Sequence, residues 1–211
     1  MRNAQLDWEF LSGYNTFMYD NLYEKITDAL VNDGYIVIEN ALDPQLCKQL
    51  FETSNQINNF KKAGISSSSL RDENRRRDKI KWLDADTETT TAYLSFAQGL
   101  QSYLNRHLYL GLSYYEAHFA VYEVGDFYEK HLDAFASAKN RVVTTVYYLN
   151  EVWDSNDGGE LIIYDKEGKE ISRVLPKANT LVVFMSEDFP HEVLACKAKR
   201  SSIAGWFRVD K

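Results

Sequence analysis

Phe127-Tyr128-Glu129-Lys130-His131-Leu132-Asp133 forms one pattern with Pro190-His191-Glu192-Val193 and Lys199-Arg200-Ser201-Ser202. On an extended strand, positions i and i+2 point to the same face. His131 and Asp133 read as such a pair, an imidazole and a carboxylate aimed at one point. His191 lies 58 positions beyond Asp133 and supplies a third ligand from another strand. Two histidines and one carboxylate on one side of an ion leave its other positions open, the arrangement that suits non-haem Fe(II) binding a substrate and O2 together. Arg200 follows His191 by nine residues, enough to turn out of one strand and return on its neighbour. There its planar fork is suited to hold a carboxylate bidentately.

Each residue has a blander reading when taken singly. A lone H-x-D is weak evidence. His131 then reads as a half-buried histidine, Asp133 as a turn or cap residue before the loop from Ala134 to Asn140, His191 as a strand start set by Pro190, and Arg200 as half of a surface ion pair. The joint spacing of three ligands and one arginine on strand-like segments favours the metal reading.

From about Gly34 to Asp210 the chain resembles the 2-oxoglutarate- and Fe(II)-dependent prolyl hydroxylases, in the branch that contains the animal oxygen-sensing enzymes and their bacterial relatives. The resemblance rests on residues 76–82 (Arg-Arg-Asp-Lys-Ile-Lys-Trp), residues 121–125, the H-L-D at 131–133 and residues 141–150. It continues through Gly158-Gly159-Glu160-Leu161, residues 190–193, and Arg200 to Trp206. It implies a mainly β fold, a double-stranded β-helix (jelly roll) with supporting N-terminal α-helices. The ligands are expected on its first and seventh strands.

It also implies Fe(II) on His131, Asp133 and His191, and 2-oxoglutarate as cosubstrate. The far carboxylate of 2-oxoglutarate is expected on Arg200 and the Tyr148 hydroxyl, with Tyr122 toward the iron end. Ascorbate is the implied reductant, and succinate and CO2 the co-products. Arg76, Asp78, Trp82, Arg141 and Trp206 would border a groove for a protein substrate with a target proline. Bacterial members point to elongation factor Tu as that protein, more distant ones to a ribosomal protein. Related halogenases lack the carboxylate that Asp133 provides, so its presence favours hydroxylation. Ala204 stands where the animal enzymes carry a threonine. The rival readings are a 2-oxoglutarate oxygenase of a small molecule such as a free amino acid, and a non-catalytic metal-binding jelly roll serving as an interaction module.

Bulk properties agree. With 211 residues the chain is the size of one domain, 1–211, long enough to bury a core. Aromatic residues make up 14%, which favours strands over a helical bundle. A formal charge of −7 supplies no basic field for nucleic acid or a membrane, and the single tribasic run Arg75-Arg76-Arg77 is too short to reverse that. Cys47 and Cys196 are far apart, with no C-x-x-C, as expected in a reducing cytoplasm. Met1 to Asp7 carries no apolar signal core, and no window approaches a membrane span.

Periodicity divides the chain. Tyr19–Asn32, the stretch from the Asp43 cap to about Phe60, and Thr91–Leu108 read as helices, giving helical support at about 15–60 and 91–108. Lys61 to Arg77, with its serine run at 66–69, breaks every periodicity and reads as a loop. In the resembling family it is a segment that folds over the substrate. Tyr35–Glu39 and Asp78–Leu83 read as strands. So do further runs from Tyr115 to Val209, inside a jelly-roll core at about 113–209. Cys47 reads as a small core residue, His107 as a surface residue favoured by the helix dipole, and His118 as structural.

Overall fold

The computed structural model describes residues 18–63, 75–134 and 140–210. The serine-rich segment expected to fold over the substrate falls largely outside them, as does most of the loop after Asp133.

Among the described residues, three α-helices precede or interrupt the strands. Helix α1 (Asp20–Asn32) buries Tyr23, Ile26, Thr27 and Leu30, one stripe at the helical repeat, and Gly34 ends it at φ 76°, a backbone angle glycine adopts without strain. Helix α2 (Pro44–Gln56) starts at Asp43, whose carboxylate accepts from the amides of Gln45 and Leu46 at 2.7 and 3.1 Å, with proline in the first turn. It stops four residues short of Phe60, because Ser54, Asn55, Asn58 and Asn59 have side chains that compete for the backbone. Helix α3 (Glu88–Leu108) begins three residues before the sequence reading, where Thr87 and Thr90 cap each other reciprocally.

The strands form two antiparallel sheets. The larger contains β1 (Tyr35–Ile38), β2 (Lys61–Lys62), β3 (Lys79–Trp82), β4 (Tyr114–Tyr122), β6 (Arg141–Tyr148), β9 (Leu181–Met185) and β11 (Arg200–Arg208), in the order β1-β9-β6-β11-β4-β3-β2. The smaller contains β5 (Tyr128–His131), β7 (Leu161–Tyr164), β8 (Glu170–Val174) and β10 (His191–Val193), in the order β5-β10-β7-β8. Strands β4 to β11 are the eight strands of a jelly roll, passing between the sheets at every step except the β7–β8 hairpin, which stays in the smaller sheet. The candidate ligand histidines, His131 and His191, therefore fall on the second and seventh strands of the roll, not on the first and seventh.

Side-chain alternation separates two cores. On the larger sheet, Phe119, Val143, Tyr147, Leu181, Val183 and Ile203 pack outward under the helices with Ile26, Leu50, Phe96 and Leu100. Their neighbours Ala120, Tyr122, Val146, Tyr148, Val182 and Phe184 point inward, against Leu161, Ile163 and Val193 of the smaller sheet. Outward residues anchor the helices, and inward residues line the hollow between the sheets, where the site lies.

Candidate metal and cosubstrate centre

Sheet pairing brings the site together. His131 closes β5 and His191 opens β10, directly opposite one another in the register of the smaller sheet. Asp133 lies past the end of β5, in a bend, so the carboxylate reaches the histidines from a turn and not by strand alternation. Its two oxygens lie 3.7 Å from His131 Nε2 and 3.5 Å from His191 Nε2. One ligand atom from each residue lies within 4.8 Å of the others, a spacing that one ion can span.

The surroundings orient every ligand. His131 Nδ1 is 2.8 Å from the Glu129 carbonyl and His191 Nδ1 is 3.0 Å from the Phe189 carbonyl. With both Nδ1–H groups donating there, both Nε2 lone pairs face the centre. The Thr144 hydroxyl donates to Asp133 Oδ2 at 2.9 Å and is itself 2.8 Å from Ser186 Oγ. Tyr128 stacks on His131, ring centroids 3.6 Å apart. Burial, then the neighbouring His191 ring, lowers the His131 pKa. Burial alone would raise that of Asp133, but the two imidazoles outweigh it and hold the carboxylate ionised. The three residues thus present N and O donor atoms on one side of a point, the donor set that fits Fe(II) with open positions.

The cavity continues from this triad to Arg200. Arg200 is 1% exposed. It lies on β11 in the larger sheet, so the chain crosses from one sheet to the other after His191 and does not return on a neighbouring strand. Its Nε donates to the Gly159 carbonyl at 2.9 Å and its Nη1 to Ser202 Oγ at 3.3 Å. Its carbon Cζ sits 4.8 Å from the Tyr122 ring centroid and 4.9 Å from that of Tyr148. None of the described ion pairs includes this guanidinium. A buried, always charged group without a counter-ion is costly, and its free donors suit a carboxylate. The Tyr148 hydroxyl is buried with no partner. Burial raises the pKa of Tyr122 and Tyr148, so both hydroxyls stay protonated as donors. Tyr122 lines the cavity; Tyr148 is not among the lining residues and packs its ring against Arg200.

The expected groove residues separate. Arg76, Asp78, Arg141 and Trp206 line the cavity; Trp82 does not. Arg76 clamps Asp78 through Nε at 2.5 Å and Nη2 at 2.9 Å. Arg141 lies over the Trp206 ring at 3.8 Å, while Trp82 is 48% exposed and meets the site only through an edge-on contact with His118. Trp82 shares the phase of Asp78 and Ile80, but it closes β3 opposite His118 and lies outside the cavity lining. Sequence reasoning missed Thr144 and Ser202, both on the cavity wall. The signal was available, because Thr144 shares the inward phase of Val146 on β6, and Ser202 that of Arg200 on β11.

Residues 117–208 match the family model of the 2OG-Fe(II) oxygenase superfamily. A prolyl-4-hydroxylase from Pseudomonas putida superposes with a TM-score of 0.82 at 35% identity, covering 90% of this chain and 100% of that one. A prolyl hydroxylase from Trichoplax adhaerens, solved in complex with a hypoxia inducible factor oxygen degradation domain peptide fragment, superposes with a TM-score of 0.79 at 26% identity, covering 97% of this chain and 94% of that one. Human Egl nine homolog 1 is 28% identical over 87% of this chain, which spans 46% of that relative's length. With the site geometry, these likenesses show that the chain belongs to the 2-oxoglutarate- and Fe(II)-dependent oxygenases, among the prolyl hydroxylases.

Proposed function

We propose that the chain hydroxylates a prolyl residue within a protein substrate, using Fe(II), O2 and 2-oxoglutarate. One observation carries this reading: a buried arginine with no counter-ion among the described residues lies in the same cavity as two histidines and a carboxylate that fit one metal ion. Bound Fe(II) and 2-oxoglutarate would supply the O2 chemistry, with succinate and CO2 as co-products.

The protein's own residues position and shield. His131, Asp133 and His191 would hold the metal. Arg200 would take the far carboxylate of the cosubstrate bidentately, with the Tyr148 hydroxyl beside it and the Tyr122 hydroxyl donating nearer the metal. Gly159 and Ser202 hold the guanidinium at its place. Val146, Leu161 and Val193 give the cavity apolar walls, which keep water from the reacting positions. Trp206 under Arg141 forms a flat aromatic face beside the triad, suited to a proline ring.

The resemblance to bacterial members makes elongation factor Tu the first protein to test. The buried free thiols of Cys47 and Cys196 support a cytoplasmic location, and among the described residues no helix is long and apolar enough to cross a membrane. The test is incubation with Fe(II), 2-oxoglutarate and O2, followed by mass spectrometry of elongation factor Tu and of a cognate lysate. A gain of one oxygen on a proline, stoichiometric with succinate, is expected. Oxygen found only on free small molecules would reject the prolyl reading.

A further inference from the structure

We propose that His118 positions the substrate by donating an imidazole N–H to the peptide carbonyl beside the target proline. The inference rests on the prolyl reading above and assigns it a residue. His118 sits in the middle of β4 on the inward phase it shares with Ala120 and Tyr122, and all three line the cavity. It is 2% exposed, yet its Nδ1 has no hydrogen-bond partner. An unpaired buried polar atom costs about 1–3 kcal/mol, so one kept on a cavity wall points to a partner that arrives from outside.

The packing shows what kind of partner. Trp82 meets the imidazole edge-on and Trp206 lies tilted against it, each with ring centroids 5.4 Å away. Arg76 and Arg141 add positive charge, and Asp78 is already clamped by Arg76. Burial and the cation of Arg76 keep the ring neutral, with its pKa down at about 4. A neutral imidazole offers one N–H and one lone pair. The proline nitrogen carries no hydrogen, so at that residue the substrate backbone offers only a carbonyl acceptor. The ring must therefore donate to a carbonyl.

Arg76 and Arg141, on the same cavity wall, already hold other partners, although Arg141 Nε has none among the described residues. Arg76 spends Nε and Nη2 on Asp78. Arg141 donates Nη2 to Glu116 at 3.2 Å, and its Nη1 lies 3.9 Å from Asp133. The cross-strand partner of His118 on β11 is the small Ala204, which also lines the cavity.

The experiment compares wild type with His118→Phe, which keeps a ring but no donor, and His118→Gln, which restores an N–H. The probe is the prolyl protein identified by the oxygen-incorporation screen. His118→Phe should raise the KM for that protein about tenfold, the worth of one hydrogen bond, with kcat changed less than about threefold. The KM for 2-oxoglutarate should stay within about twofold, and His118→Gln should recover part of the loss. An unchanged protein KM in His118→Phe overturns the proposal. So does equal loss in both variants that tracks a fall in Tm, since that is the mark of a packing role. A wild-type protein that places no oxygen on any proline overturns the prolyl reading and this inference together, and does so before a variant is made.

Discussion

His131 and His191 face each other across the β5–β10 pair, and each directs its Nδ1 to the backbone carbonyl two residues before it, Glu129 and Phe189. The two rings are thus oriented by the strands themselves, and Thr144 and Ser186 do the same for Asp133. His131→Ala or Asp133→Ala should abolish divalent-metal binding measured by calorimetry with Mn(II), while circular dichroism stays native. Thr144→Val removes the hydroxyl that holds the carboxylate and should weaken metal affinity by about 10–100-fold. Undiminished Mn(II) binding in the aspartate variant would remove Asp133 from the ligand set.

Arg200 is the test of the cosubstrate end. Loss of a desolvated, bidentate charge contact costs about 2–5 kcal/mol, so Arg200→Ala should raise the 2-oxoglutarate KM at least about thirtyfold. Arg200→Lys should recover only part, because an ammonium lacks the planar fork. Succinate release as a function of 2-oxoglutarate concentration reads both variants.

Gly159 supports that arginine through its backbone. Its φ is 68°, and an added Cβ would lie 2.9 Å from Cys196 Sγ and 3.2 Å from Arg200 Cδ. Gly159→Ala therefore meets both backbone strain and a collision. It should destabilise the protein by about 1–3 kcal/mol in urea unfolding, and raise the 2-oxoglutarate KM without changing Mn(II) affinity.

Buried neutral histidines make the metal-free protein sensitive to acid. Burial lowers the pKa of His118 to about 4 from 6.5, and that of His131 falls as well. Above pH 6.5 both rings are neutral whether the chain is folded or not, so stability is flat from this source. As pH falls below 6.5 the unfolded chain takes up protons that the folded chain refuses, and stability declines until the folded pKa is reached. Between pH 7 and pH 5 the loss for His118 should be at most about 2 kcal/mol. Urea titrations at the two pH values should show this decline, and a smaller one in His118→Phe. Asp133, with its pKa lowered in the fold, adds a further loss only below the ordinary carboxylate range.

Local pattern made much of the molecule legible. The stripe Tyr23, Ile26, Leu30 marks α1, the Asp43-Pro44 start marks α2, and the alternation in Tyr114–Tyr122 and Arg141–Tyr148 marks two central strands. These signals depend on neighbours a few residues apart, so they survive without tertiary context. The types and order of the candidate site residues, His131, Asp133, His191 and Arg200, stand in the sequence itself.

Only the tertiary structure decided how those residues meet. Strand alternation does not bring Asp133 to His131; a bend does, braced by Thr144 and Ser186 from two other parts of the chain. The sheet register, set by closure of the whole roll, places His191 opposite His131. Trp82 and Trp206 look alike in sequence, yet one is half exposed and the other lines the cavity. Arg200 and His118 gain their meaning from what does not surround them: no carboxylate pairs with the first among the described ion pairs, and Nδ1 of the second has no partner. Burial and missing counter-charges are sums over residues distant in sequence. A sequence shows which groups can do chemistry, and folding decides which of them are desolvated together.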